Sequence, residues 1–252
     1  MDTNTIIIAV GFFAAGLITG SFLNVLIYKI PRKLTVFRHY AVCYSCRMNV
    51  SPIYNYPIIA YILKKGRCSY CKGRIPLQNI LTEILNALLY VLLYLFFGIS
   101  LRTLSGVILA SILVTVSFID WEFMIIPNII VLPFTVVGLA INIIRNPSGW
   151  WVPLAFSAGS FAFLLIVHLI YPKGMGMGDV KLALMLGAFL VKNIIVGLFA
   201  GFLLGSVAGI IFLILKKKTL KQFIPFGPFI SAGGIIALFT GDLVTGWYLR
   251  MF

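Results

Sequence analysis

The stretch GMGDVKLALMLGAFL, residues 176–190, places a carboxylate directly before a long apolar segment. Asp179 within it is one of only six acidic residues in a chain of 252 residues, 61% of which are hydrophobic. An ionised side chain at membrane depth costs about 3 kcal/mol or more, so such a residue is a candidate functional group. The glycines before Asp179 allow a backbone or a substrate to approach its carboxylate closely.

The remainder of the chain has the composition of an all-α polytopic membrane protein. Its mean hydropathy is +1.08. Only 10% of its residues are charged, against about a quarter in a soluble domain. Recurring apolar runs predict about eight transmembrane helices, the sixth of them short enough to be a half-span or a continuation of its neighbour. The candidate spans are residues 5–28, 78–98, 103–120, 127–144, 152–171, 181–192, 194–215 and 226–248.

Lysine and arginine are distributed asymmetrically between the predicted loops. With the N-terminus outside, the inside segments carry 16 of the 20 basic residues and the outside segments carry 4. Basic residues collect in cytoplasmic loops, so this split predicts that the long loop 29–77 is cytoplasmic. The net charge of +14 is then a feature of topology and of contact with anionic lipids. No separate basic domain remains for nucleic-acid binding.

A second aspartate, Asp120, is predicted to lie at the same cytoplasmic face as Asp179. Asp120 ends the third span as that span reaches the cytoplasm, and Asp179 precedes the sixth span as it leaves. Two carboxyl groups that share one proton can activate water, which favours peptide-bond hydrolysis at a membrane. A proton- or cation-coupled transporter is the alternative, although transporters usually hold such acids near the bilayer midplane.

All four cysteines lie in the polar loop, as the pairs Cys43-x2-Cys46 and Cys68-x2-Cys71. This spacing suits a tetrahedral zinc ion bound by four thiolates. The loop is too small to bury much of a core, so a metal would supply its folding energy. Redox-active or free thiols are the alternative, whereas a reducing compartment argues against disulfides.

Three further motifs accompany these residues, namely GSFLNV at 20–25, Pro127 soon after Asp120, and IPFGPF at 224–229. Taken in order with the cysteine loop and the Gly-x-Gly-Asp stretch, they resemble the type IV prepilin peptidases. These are the bifunctional leader peptidase/N-methyltransferases of pilus, type II secretion and competence systems. The resemblance extends over nearly the whole chain.

The resemblance implies an aspartic endopeptidase of the bacterial inner membrane that removes a short basic leader from prepilins or pseudopilins. Asp120 and Asp179 match the catalytic pair, and Gly176, Gly178 and Lys181 would support the site. The resemblance also implies methylation of the new N-terminus with S-adenosylmethionine as the methyl donor. Methylation is associated with the cysteine-bearing loop.

The implied organisation comprises a first transmembrane helix at 1–28, a loop domain at 29–77 and a peptidase domain at 78–252. A departure from the family pattern lies just after the second of these boundaries. Asn79 stands where the family usually has a glutamate, and Glu83 lies one helical turn later on the same face. Because this acid is associated with methylation or loop anchoring, Glu83 and Asn24 are the candidates for contact with the methyl donor. Similarly, Asn128 stands where members often carry aspartate.

Several of these polar residues also have purely structural explanations. Asp179 precedes an apolar run, so it suits the N-cap of a helix. Lys181 suits pairing with a nearby carboxylate or a lipid phosphate. Asn24 in the first span is expected to hydrogen-bond another helix. His168, within an apolar span, is expected to be a buried structural histidine.

Overall fold

The computed structural model describes residues 3–35, 46, 48, 67–68, 70–74, 76–172, 174–215 and 225–251. Within these ranges the chain forms eight α-helices and two single-turn 3-10 helices, Pro147–Gly149 and Val191–Asn193. The described residues contain no β-strand, only an isolated bridge between Arg67 and Arg74, so the all-α prediction is confirmed. The α-helices are α1 Thr3–Lys29, α2 Leu77–Phe97, α3 Leu101–Phe123, α4 Asn128–Arg145, α5 Trp151–Ile170, α6 Met177–Leu190, α7 Ile194–Ile214 and α8 Gly227–Leu249.

Seven stretches of the described chain are long and apolar enough to cross a membrane, one fewer than the eight predicted. The difference lies at the sixth and seventh candidates, which form the single stretch Met177–Phe212. α6 alone has 14 residues, about 21 Å of helix, which is shorter than the ~30 Å hydrocarbon core. Val191, with a φ of 51°, ends α6 before the 3-10 turn that leads into α7.

The helices fall into two compact units, Met1–Thr103 and Leu104–Phe252. In the first unit α1 packs against α2 through two glycines one turn apart. A Cβ on Gly16 would lie 2.5 Å from the Cα of Ala87, and one on Gly20 would lie 2.7 Å from the Cα of Glu83. The two backbones therefore touch directly, as small residues at a four-residue spacing permit between membrane helices.

Hydrogen bonds between polar side chains and backbone join the same two helices. The Ser21 hydroxyl donates to a Glu83 carboxylate oxygen, and Asn24 Nδ2 donates to the Asn79 carbonyl at 2.9 Å. Asn86 Nδ2 donates to the Gly16 carbonyl at 3.0 Å. The expectation that Asn24 bonds another helix is thus confirmed. Glu83 is only 1% exposed, which places its carboxyl inside the α1–α2 interface.

Alanine substitutions in α1 test this close approach. Gly16→Ala forces the helices apart and is expected to destabilise the protein by about 1–3 kcal/mol. Gly11→Ala, in the same helix with open space around it, gains helix propensity and is expected to be neutral or stabilising by up to ~1 kcal/mol. Thermal unfolding in detergent measures both. Shifts of equal sign and size in the two variants would refute the packing described here.

In the second unit α6 lies at the centre, in contact with α4, α5 and α8. Three donors hold it by its carbonyl groups. Ser160 Oγ donates to Ala183 O at 2.8 Å, Ser157 Oγ donates to Leu184 O at 2.7 Å, and Asn142 Nδ2 donates to Ala188 O at 2.8 Å. Because protein surrounds most of α6, this short helix is a rigid support for the residues at its N-terminus.

A glycine seam, formed by Gly197, Gly201 and Gly233, joins α7 to α8. A Cβ on Gly201 would lie 3.0 Å from the Cα of Ile230, and Gly233 lies directly against the backbone of Gly197 and Gly201. At one end of this seam the Phe226 ring packs against Gly205. The seam therefore fixes where α8 begins.

Candidate active site

Asp120 and Asp179 line one cavity of about 500 Å³ in the second unit. Asp120 lies in the last turn of α3 and Asp179 in the first turn of α6. Each is only 6% exposed, and the two carboxyl groups are close enough to interact electrostatically. The α3–α4 turn, the loop before α6 and the residues Pro225-Phe226 complete the walls. Two carboxyls 59 positions apart in sequence thus face the same space.

Each carboxylate accepts a hydrogen bond from a backbone amide at the start of a helix. Gly227, the first residue of α8, donates its N–H to Asp120 Oδ2 at 2.9 Å. Gly176, the N-cap of α6, donates its N–H to Asp179 Oδ2 at 3.1 Å. Helix N-termini present unpaired N–H groups and favour negative charge. The backbone N–H groups of Gly227 and Gly176 therefore orient the two aspartate side chains.

The two glycines of the Gly-x-Gly-Asp stretch have different surroundings. Gly176 is itself the N-cap of α6, and Asp179 is three residues inside the helix. Asp179 is therefore not the N-cap residue that its position before an apolar run suggested. Its carboxylate instead accepts a hydrogen bond from the N–H of the N-cap residue, Gly176. A Cβ on Gly178 would lie 2.9 Å from Ile126 Cβ, so Gly178 allows the start of α6 to pack against the α3–α4 turn.

Lys181 also lines the cavity, together with Asn128. Its Nζ donates to Asn128 Oδ1 at 3.0 Å. The expected partner was a carboxylate or a lipid phosphate, and the observed partner is instead a neutral amide at the start of α4. A carboxamide does not neutralise an ammonium, so the pair retains a positive charge beside the two acids.

Two further residues make hydrogen bonds in the site, although the sequence analysis gave neither of them a role there. Gly227 lies in the IPFGPF motif, to which the sequence analysis gave no role, and its backbone N–H donates a hydrogen bond to Asp120. His168, at the end of α5, places Nδ1 2.8 Å from the carbonyl of Met175 in the cavity wall. Neither contact has a sequence signature, because one donor is a backbone amide and the other side chain reaches across a loop.

The candidates for methyl-donor contact, Glu83 and Asn24, lie in the first unit. Both are buried, at 1% and 7% exposure, and both are bonded between α1 and α2 as described above. Their contact with S-adenosylmethionine stays a prediction. Their position suits the joining of α1 to α2.

Three cysteines of the loop cluster in space. The Sγ atoms of Cys46, Cys68 and Cys71 lie within 4.8 Å of one another. The N–H of Gly73 donates to Cys71 Sγ at 3.4 Å. This donor set fits a metal ion such as zinc. Cys43, the predicted fourth ligand, lies outside the described residues.

Comparison with known proteins shows the family to which the chain is related. Residues 14–97 match the model of the bacterial peptidase A24 N-terminal domain, and residues 107–214 match that of the type IV leader peptidase family. The chain is 32% identical to a prepilin leader peptidase/N-methyltransferase of Bacillus subtilis, over 95% of this chain and 97% of the relative.

Proteins described by the same words in Aeromonas salmonicida and Neisseria gonorrhoeae are each 31% identical. The first alignment covers 94% of this chain and 92% of the relative, and the second covers 93% and 92%. No solved structure matches the chain. The resemblance found in the sequence is therefore confirmed over nearly its full length.

Proposed function

Since this chain belongs to the type IV leader peptidase family, we propose that Asp120 and Asp179 together hydrolyse the leader peptide bond of a prepilin or prepilin-like protein. The observation that carries the proposal is the shared cavity, which two buried aspartates line and in which each carboxylate accepts a hydrogen bond from a backbone amide. An enzyme that cleaves peptide bonds with two aspartates needs this proximity, because one acid must be ionised while the other holds a proton.

The chemistry requires only these two groups and a water molecule. One carboxylate accepts a proton from water as the oxygen attacks the scissile carbonyl carbon, and the other carboxyl donates a hydrogen bond to the carbonyl oxygen. The tetrahedral intermediate then collapses, the C–N bond breaks, and the released amine takes up a proton. The N–H groups of Gly227 and Gly176 hold the carboxylates in position throughout, because fixed donors need no reorganisation during the reaction.

The proposed substrate crosses the membrane surface where the cavity lies. The two aspartates occupy the end turns of α3 and α6, and the distribution of basic residues assigns that end to the cytoplasmic face of the bacterial inner membrane. A basic leader would remain in the cytoplasm beside anionic lipid headgroups, while the apolar segment of the substrate stays in the bilayer. Transporters usually place their coupling acids at the midplane, which disfavours that alternative.

The second proposed activity is methylation of the new N-terminus. S-adenosylmethionine, when bound, supplies an electrophilic methyl group for the free amine. We assign this activity to the loop segment 29–77, and leader cleavage to the segment 78–252. A zinc ion held by Cys43, Cys46, Cys68 and Cys71 would order the loop, since three of these thiols already cluster.

One assay tests both activities. The detergent-solubilised protein is incubated with a prepilin, with or without S-adenosylmethionine, and the N-terminus of the product is read by mass spectrometry. The expected product lacks its leader in both reactions and carries an added methyl group only when the donor is present. An intact prepilin would refute the peptidase assignment, and a cleaved product without methylation would refute the second activity alone.

Zinc content gives an independent test of the loop. Cys68→Ser removes a thiolate from the cluster and is expected to lower bound zinc from about one ion per chain to near none, as measured by elemental analysis of the purified protein. Tyr70→Phe, inside the same Cys-x2-Cys turn, should retain the metal. Equal zinc in the two variants would exclude the cluster as the binding site.

A further inference from the structure

One peptide group in the cavity wall is hydrogen-bonded at both of its ends. The carbonyl of Met175 lies 2.8 Å from His168 Nδ1. The N–H that follows it, on Gly176, donates to Asp179 Oδ2 at 3.1 Å. Because a peptide group is planar and trans, its C=O and N–H point in opposite directions. The Met175–Gly176 peptide therefore lies between an imidazole on one side and a reactive carboxyl on the other.

The chemistry of the partners fixes the direction of both bonds. A carbonyl oxygen only accepts, so Nδ1 of His168 carries the hydrogen. The two bonds form a chain from the imidazole through the peptide to the carboxylate. Hydrogen bonds in such a chain polarise one another, so the Gly176 N–H is a stronger donor while its carbonyl is engaged.

The peptide lies in the loop before α6, which contains Gly174 and Gly176, and residues without a Cβ widen the range of backbone conformations open to this loop. The Met175 side chain is buried, at 7% exposure, whereas a Cβ on Gly176 would meet only Asp179 Oδ2 at 3.6 Å and the Gly178 nitrogen at 3.9 Å. On its Gly176 side, hydrogen bonding rather than side-chain packing therefore holds the peptide plane. His168 belongs to α5, which is held against the buried helix α6 by hydrogen bonds from its serines. The backbone that carries the His168 ring is therefore fixed in position.

We propose that His168 is a positioning residue that sets the orientation of the Met175–Gly176 peptide and, through it, of the Asp179 carboxyl. The inference rests on the proposed function in one respect, that Asp179 takes part in cleavage. His168 touches neither substrate nor the reacting atoms. Loss of the His168 imidazole lets the Met175–Gly176 peptide rotate. The rotation removes the Gly176 N–H donor from Asp179 and leaves both the cavity and the carboxyl in place.

Three substitutions at position 168 separate hydrogen bonding from packing. His168→Asn keeps an N–H about where Nδ1 lies, and His168→Gln moves its amide one bond further out, about where Nε2 lies. His168→Leu keeps a side chain of similar size without a donor. With saturating prepilin, kcat is expected to fall about tenfold in His168→Leu and His168→Gln. KM should stay within about twofold, and His168→Asn should restore most of kcat.

Isotope labelling observes the peptide directly. The sequence contains only two Met–Gly peptides, Met175–Gly176 and Met177–Gly178. A protein labelled with carbonyl-13C methionine and 15N glycine therefore gives two signals in a carbonyl-selected amide spectrum, one of them an internal control. His168→Leu is expected to shift the Gly176 amide proton upfield and to leave the Gly178 signal nearly unchanged, whereas His168→Asn should keep both near their wild-type positions.

The outcomes separate this inference from the proposed function. If the wild-type protein fails to cleave prepilin, the proposed function fails, while the Gly176 signal still reports whether His168 orients the peptide. The inference is overturned if His168→Leu leaves both the Gly176 signal and kcat unchanged. It is also overturned if the asparagine and leucine variants, with equal thermal stability, lose activity equally.

Discussion

Asp120→Asn and Asp179→Asn are each expected to abolish prepilin cleavage, lowering kcat/KM by about a thousandfold or more. The exchange preserves the shape of the side chain and keeps an oxygen that can accept the backbone amide. It removes the proton exchange that general acid and base catalysis require. Both aspartates are 6% exposed and line one cavity, so either substitution removes half of a coupled pair. Rates of leader removal, followed by mass spectrometry, give the comparison.

Asp242→Asn is the matched control for this pair. Asp242 belongs to α8 of the same unit, accepts a hydrogen bond from Asn193 at 2.8 Å, and is exposed. Because it is not among the residues that line the cavity, its exchange is expected to change the cleavage rate by less than about twofold. Substantial cleavage by the Asp120→Asn, Asp179→Asn double variant would exclude the aspartate mechanism.

Gly227→Ala is expected to lower kcat for cleavage by about a hundredfold, since a displacement of the order of 1 Å at a reacting group has this effect. A Cβ at position 227 would lie 2.6 Å from Asp120 Oδ2 and 3.0 Å from its Cγ. A non-bonded carbon atom does not approach a carboxylate oxygen this closely, so the aspartate or the start of α8 must move. Movement in either direction breaks the 2.9 Å hydrogen bond from the Gly227 amide. Single-turnover cleavage of prepilin measures the effect on the chemical step.

The control for Gly227→Ala is Gly246→Ala on the same helix. An added methyl group there meets no atom within 4 Å, and the substitution is expected to leave cleavage unchanged. Thermal unfolding of both variants separates lost activity from lost structure. A Gly227→Ala enzyme that cleaves at the wild-type rate would show that the position of Asp120 does not depend on the start of α8.

The sequence alone predicted the all-helical fold, and it made Asp120 and Asp179 the candidate catalytic residues because charge is rare in this chain and costly in a membrane. Hydropathy placed one span at 181–192, whereas α6 runs over Met177–Leu190. Its N-cap Gly176 and its first-turn residues Gly178 and Asp179 lower the apolar average of any window that includes them. The sequence analysis counted α6 and α7 as two spans, whereas a single 3-10 turn joins them into one apolar stretch, Met177–Phe212.

The supporting contacts could not be predicted in this way. Gly227 acts through its backbone amide, which every residue except proline possesses, so its role depends on where α8 begins relative to α3. His168 acts through a carbonyl seven positions away, and its direction depends on how α5 ends. Lys181 was expected to pair with an acid or a phosphate, yet the start of α4 brings Asn128 within reach instead. Such contacts follow from tertiary packing, which a local pattern does not encode.

The hydrogen bond that the Gly227 N–H donates to Asp120 has a consequence for biosynthesis. Both aspartates are translated and inserted long before residue 227 leaves the ribosome, so the nascent chain carries its reactive acids without the donor that orients the first of them. Only when α8 has inserted and docked along its glycine seam does Asp120 gain that partner. Full cleavage activity is therefore expected only after α8 has docked, because Asp120 lacks this orienting donor until then.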